Sequence, residues 1–202
     1  MRAVLLALHY QNEVLHPEGK IRVGLGADSP LRAAVLDAAG ALLAGARAAA
    51  LPIVHVRVAY RPDYADLRAN APILKRVQEL GAVREGSWGV AFHDALAPRD
   101  DDPLEFVVTH KRINGFYESS LETVLRALGA TRLLVAGVAT HSVVESTVRH
   151  AVDMGYEVGV VAPACAAADP ATHAAALASM TLIATVCTDV ATALRFAGAE
   201  GP

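Results

Sequence analysis

Residues 132–165, RLLVAGVATHSVVESTVRHAVDMGYEVGVVAPAC, decide the fold because they read as one complete strand–turn–helix–strand unit. Leu133 to Ala136 is a short apolar run, the pattern of a strand buried on both faces, and Gly137 stops it. From Ser142 the residues for a buried face recur at helical spacing: Val143 and Val144, Thr147 and Val148, Ala151 and Val152. Glu145 and Arg149 stand four apart as a helical ion pair. Gly155 closes that helix and Val158 to Val161 is the next buried strand, so the unit predicts a parallel βαβ crossover. The turn Gly137-Val138-Ala139-Thr140-His141 therefore lies at a strand's carboxyl end and a helix's amino end. Open α/β sheets bind ligands at such places, and the unpaired amides and helix dipole there suit an oxyanion or a carboxylate.

Outward from this unit the same alternation continues. Val4 to Leu8 is a first strand followed by His9-Tyr10-Gln11-Asn12, and an irregular passage runs to Ser29. Ser29 as N-cap and Pro30 as first helical residue predict a helix to about Ala50, which Pro52 breaks before a strand at Ile53 to Val58. His55, inside that strand, reads as a hydrogen-bonded structural histidine. Residues 61–89 are irregular apart from a short helix near Ile73 to Leu80, and a loop of that length in a compact α/β domain caps a site. Asp100 to Asp102 form a solvated turn, and Phe106 to Thr109 is a strand ending at His110-Lys111-Arg112. Ser119 and Glu122 predict a capping box for a helix that Gly129 ends. Asp169-Pro170 starts another helix, Leu182 to Val186 forms the last strand, and Asp189 caps a terminal helix. The expectation is a three-layer α/β/α sandwich, Rossmann-like, around a mainly parallel sheet of about six strands.

With 202 residues and 53% hydrophobic composition, the chain is long enough for one well-buried domain and short for two, so residues 1–202 are read as a single domain. Net charge −3 and the lack of a Lys/Arg cluster argue against nucleic acid or an anionic membrane as partner. The Ala-rich stretch Ala33 to Leu51 contains Asp37 and Arg47 and reads as a packed amphipathic helix rather than a membrane span. The opening residues pass straight into a strand without a basic segment and cleavable apolar segment, so a cytoplasmic location is expected. Cys165 and Cys187 each fall in or just after an apolar run and are expected as buried thiols, not a disulfide.

The stretch Gly137-Val138-x-Thr140 followed by Val144, Glu145, Ser146 and Thr147 resembles the isochorismatase-like hydrolases, also called the cysteine hydrolase family, which include nicotinamidases and N-carbamoylsarcosine amidases. The resemblance extends over nearly the whole chain, through the Gly-rich segment 86–89, Pro163-Ala164-Cys165 and Ala171 to Leu177. It implies a Cys nucleophile at position 143, an Asp at the end of the first strand and a Lys at the end of the strand at 106–109. This sequence has Val143, His9 and His110 there. Lys111 is one place late, and neighbouring side chains on a strand point to opposite faces. By the same resemblance, backbone amides of Ala139 and Val143 would hold an oxyanion, and a cis peptide would fall at Val138-Ala139. The metal-ligand pattern of nicotinamidases is not matched around Asp63 and Asp66. Relatives are dimers or tetramers, so a homo-oligomer is expected.

What remains by position is His9, His110 and His141, with Asn12 and Ser142 close by in sequence. Three chemistries stay open. One is general acid–base work by imidazoles that titrate near neutral pH, giving altered, non-thiol chemistry on a small molecule. Another is a metal ion held by His9, His110 and His141, since three imidazoles make a catalytic-zinc set; otherwise no cofactor is implied. The third is an inactive member that binds a small ligand or a partner. Ser142 adjoins the nucleophile position, but a helix turns about 100° per residue and aims it elsewhere. Tyr10, Gln11, Trp88, Phe116 and Tyr117 are the candidate substrate-binding residues; the four aromatic ones read as walls for a small flat ligand or, equally, as core.

Overall fold

The computed structural model describes residues 2–199. Its strands are β1 (Ala3–Leu8), β2 (Ile53–Val58), β3 (Glu105–His110), β4 (Arg132–Val138), β5 (Glu157–Ala166) and β6 (Thr185–Cys187). They form one sheet, ordered β3-β2-β1-β4-β5-β6, in which every pairing is parallel. β1 and β4 are buried along nearly their full length, as the apolar runs require. The helices are α1 (Asn12–Leu15), α2 (Arg32–Ala48), α3 (Pro72–Leu80), α4 (Leu121–Ala127), α5 (Glu145–Asp153), α6 (Pro170–Met180) and α7 (Val190–Phe196). α2 packs on β5 and on α7, while α5 packs on β5 and α6, so the sheet is the middle layer of an α/β/α sandwich.

The strand order reverses between β1 and β4, whose carboxyl ends carry His9 and the Gly137 turn. A sheet of this topology opens a crevice at that point because the crossovers from the two central strands leave in opposite directions. Gly137 has φ +155°, and a Cβ there would run into the carbonyl oxygen of Leu8 on β1. The two strand ends approach closely only because position 137 has no side chain.

Several boundaries differ from those expected. The first long helix starts at Arg32, not Pro30. Ser29 caps a tight turn instead, and the Arg32 guanidinium donates to the carbonyls of Leu15, Gly26 and Ala27, holding the preceding loop. The capping box at Ser119 and Glu122 does not form: Ser119 Oγ accepts from Leu121 N and donates to Gly115 O, and Glu122 pairs with Arg126. The last strand is Thr185–Cys187 rather than 182–186, because Leu182 is 87% exposed and the amides of Ile183 and Ala184 turn back to Met180 O. β5 is longer than expected; Gly137 pairs with Cys165 across a register shift that takes up residues 161–164. Asp169 and Asp189 cap α6 and α7 as their positions predict. Both cysteines are free and buried. No helix of the described residues is long and apolar enough to cross a membrane.

Candidate active site

His9 follows the last residue of β1 and adopts a left-handed backbone, φ +57°. A side chain in that conformation costs about 1 to 2 kcal/mol, which the surroundings must offset. Gln11 contributes: its side-chain amide donates to Val58 O and Val90 O and accepts from Val58 N, fastening the end of β1 to the end of β2. His110 closes β3 and is fully buried. The two rings meet Nε2 to Nε2 at 2.5 Å, with centroids 4.8 Å apart.

The direction of the protons in this pair follows from one further contact. His110 Nδ1 lies 3.1 Å from Asn114 O, and a carbonyl only accepts, so Nδ1 carries the hydrogen. His110 Nε2 is then a lone pair, His9 Nε2 must donate to it, and the acceptor left over is His9 Nδ1. Both rings are neutral at pH 7. Burial pulls the His110 pKa down from 6.5 to about 4, against the opposing pull of Asn114 O. Burial, and then the charge that His110 would carry, hold His9 well below 6.5. A proton arriving at low pH finds its one open lone pair at His9 Nδ1.

His9 lines a cavity of about 60 Å³ at the strand-end crevice. Its walls are chiefly aliphatic side chains from residues 14–23 and from α3, together with Tyr60, Val138, Ala139, Arg112, Ile113 and Ser142. The Tyr60 hydroxyl is spent on Lys111 O, and burial raises its pKa to about 12. Behind the turn the peptide Val138-Ala139 is cis. The chain then makes a π-helical turn, Thr140–Val144, before α5. Within it the amides of Ser142 and Val144 both go to Ala139 O, at 3.1 and 3.3 Å, an acceptor the Val143 amide does not share. The Val143 side chain is in the core, 1% exposed.

The residues singled out in the sequence divide sharply. His9 and His110 come together; His141 does not join them. It is exposed and lines an adjoining cleft with Glu145 and Arg149, one that shares Val23, Ile73, Ile113 and Ser142 with the His9 cavity. Among the described residues no group of three or more His, Cys, Asp or Glu side chains is placed to hold a metal ion, so the three-histidine set is not assembled. His141 is the second residue of the π-helical turn and is exposed. The expected aromatic wall is also not formed. Tyr10 is core and donates to Ala164 O; Phe116 is core and stacks on His150; Trp88 packs edge-on against His16. None of these, nor Gln11, lines the cavity, and Tyr117 lines a wider outer cleft next to it. Lys111 is engaged by Asp66 at 2.5 Å and Glu85 at 3.5 Å, and Asp63 by Arg61.

Three features of the site escaped the sequence reading. Asn114 fixes the tautomer of His110 through its main chain, for which no side-chain signal exists. Glu13 is buried, accepting from Lys20 N and Val83 N and so tying down the loop over the cavity. Its signal was a charge on the buried side of a four-residue helix. The aliphatic walls Ile21, Val23 and Ile73 were visible only as apolar residues in otherwise irregular segments.

A match to the isochorismatase domain family spans residues 3–192. The chain belongs to the isochorismatase family of hydrolases. It is 32% identical to a ureidoacrylate amidohydrolase, RutB, of Methylobacterium radiotolerans, over 87% of this chain and 72% of that one. It is 31% identical to YecD of Escherichia coli O157:H7, an uncharacterized isochorismatase family protein, over 69% and 70% of the two chains. An isochorismatase family protein of Desulfovibrio vulgaris superposes with a TM-score of 0.82 at 27% identity, covering 99% of this chain and all of the other. A cysteine hydrolase of Pseudomonas syringae shares the fold, with a TM-score of 0.84 at 24% identity over 98% and 94% of the chains.

Proposed function

We propose that this isochorismatase-family chain hydrolyses a small-molecule amide or related acyl bond with water, not a thiolate, as the nucleophile. The observation behind the reading is the fixed proton order of the His9–His110 pair, which leaves His9 Nδ1 as a lone pair on a ring that lines the strand-end cavity. In the proposed step water oxygen adds to the carbonyl carbon while its proton passes to His9 Nδ1. Amides of Ala139 and Val143 hold the oxyanion, and the C–N bond breaks as that proton moves to the leaving nitrogen. His110, held by Asn114 O, orients His9. The amidohydrolase name of RutB supports an amide as the bond attacked. The test is release of ammonia or amine from a panel of small amides. Turnover that falls at least about 100-fold in His9→Ala and is kept in Val143→Ala agrees with the proposal; loss in Val143→Ala alone contradicts it.

A second reading is a family member that binds a small ligand without turning it over. The cavity volume favours it: about 60 Å³ is room for roughly two water molecules. Saturable binding with no product from any of the panel would establish this reading. We also propose a homo-oligomer, because β3 is an edge strand that exposes Val107 and because Leu182 stands in solvent. A monodisperse monomer by light scattering at micromolar concentration would overturn it.

A further inference from the structure

Among the described residues that line the His9 cavity, the polar side chains are His9, Tyr60, Arg112 and Ser142. Tyr60 and Arg112 are committed to the protein. The Tyr60 hydroxyl donates to Lys111 O at 2.7 Å, and the Arg112 guanidinium donates to Arg68 O at 2.9 Å and to Asn70 Oδ1 at 2.7 Å. Ser142 differs. Its amide goes to Ala139 O and its carbonyl accepts from Ser146 Oγ at 2.8 Å, but among the described residues its hydroxyl has no hydrogen-bond partner. A regular helical rotation from position 143 would aim Ser142 away from the site. The structure reverses that expectation: Ser142, third residue of the π-helical turn, lines the cavity, while Val143 lies in the core. Ser142 also lines the adjoining cleft of about 410 Å³, so its hydroxyl stands where the small cavity meets an open one.

An imidazole lone pair and an unspent hydroxyl on the wall of one small aliphatic chamber make a seat for a water molecule, which needs two or more polar partners to be held in such a place. The cavity, of about 60 Å³, has room for it. We infer that Ser142 is a second catalytic residue, whose Oγ accepts one hydrogen of the attacking water while His9 Nδ1 accepts the other. This rests on the hydrolytic reading of the cavity and adds a residue that carries it out. With both hydrogens engaged, a lone pair of the water oxygen is turned toward the carbonyl carbon. As the oxygen–carbon bond forms, the hydrogen facing His9 passes to Nδ1 and then to the leaving nitrogen. The hydrogen facing Ser142 stays on the product acid, so the serine neither gains nor loses a proton. A serine nucleophile would instead need its hydroxyl bonded directly to the His9 base, and among the described residues no such bond is present.

High-resolution crystallography of the full chain is expected to show a water within hydrogen-bond distance of both Ser142 Oγ and His9 Nδ1. Kinetics use whichever of acetamide, propionamide and butyramide turns over fastest, with thermal melting to show that each variant is folded. In Ser142→Ala, kcat should fall about tenfold while KM stays within about twofold, since the lost hydrogen bond is to the attacking water and not to the amide. His9→Ala combined with Ser142→Ala should be no slower than His9→Ala alone, because the two groups act on one water. A kcat within about twofold of wild type in Ser142→Ala, losses that multiply in full in the double variant, or an acyl group on Ser142 in the quenched reaction would overturn the inference. Its failure and that of the hydrolytic reading are distinct. A bridging water with no ammonia released from any of the three amides keeps the Ser142–His9 seat and defeats hydrolysis. Ammonia released from a protein in which no water bridges the two atoms keeps hydrolysis and defeats the role of Ser142.

Discussion

Strand β3 begins and ends on a buried ionisable side chain, and the two ends use histidine in opposite ways. At its amino end Glu105 accepts from Arg47 Nε at 2.7 Å and from Arg99 N, and pairs with His55 Nε2 at 2.9 Å. At its carboxyl end His110 meets another imidazole, and no carboxylate is part of the pair. Each arrangement leaves one Nδ1 lone pair without a protein donor. That of His55 is sealed in the core beside the edge of Phe92, whereas that of His9 belongs to a ring lining a cavity. A buried histidine becomes a candidate for chemistry here through an open acceptor beside empty space, not through burial or a shifted pKa alone.

The comparison predicts its largest effect at the amino end. Glu105→Ala strands Arg47 and His55 together in the interior, and the loss of one partner from a buried pair costs about 3 to 5 kcal/mol. The melting temperature should fall on the order of 10 °C. An unchanged melting curve would show that the network is not the clamp its geometry implies.

The two ends should also fail at different pH. The His110 pKa is about 4 in the folded chain and 6.5 when unfolded, so the unfolded state binds the extra proton between these values. Stability contributed by keeping His110 neutral is complete above about 6.5 and is lost as pH falls toward 4, by about 3 kcal/mol. His9 and His55, also held below 6.5, add to the same slope. Glu105, lowered from 4.5 to about 2 in spite of its burial by Arg47, Arg99 N and His55, loses its contribution only as pH falls from 4.5 toward 2. Urea midpoints at pH 7 and pH 4.5 should therefore differ less in His110→Leu than in wild type. An equal difference in both would place the acid sensitivity elsewhere.

Much of this was legible in the residues. The strands are continuous apolar runs, and Asp169 and Asp189 sit at their helix starts. His9 follows one strand and His110 closes another, and parallel strands end on the same edge of the sheet; the two strands flank β2. His141 falls inside the π-helical turn Thr140–Val144, which nothing in the local residue pattern announces. Between wall and core the sequence does not choose for Tyr10 and Phe116; their partners far along the chain, Ala164 O and the His150 ring, make them core. Nothing local in the sequence announces such partners.

The smallest effect expected is on the thiols. Burial pushes Cys165 up to about 12, its side chain is 3% exposed, and it lies opposite Gly137 on β5, outside the His9 cavity. Alkylation with iodoacetamide under native conditions should leave turnover or ligand binding unchanged. Loss in proportion to modification of Cys165, without unfolding, would move the site to that side of the turn.

The proposed chemistry depends most on the proton order of the His9–His110 pair, and nitrogen-15 NMR of the imidazoles at pH 7 reads it directly. The predicted spectrum has both rings neutral, with the hydrogen on Nδ1 of His110 and on Nε2 of His9. In His9→Ala the titration of His110 should shift, because its neighbour's hydrogen bond and the burial it provides are gone. An imidazolium at either position at pH 7, a hydrogen on His110 Nε2, or a His110 titration curve unmoved by His9→Ala would contradict the shared neutral pair on which the proposed chemistry rests.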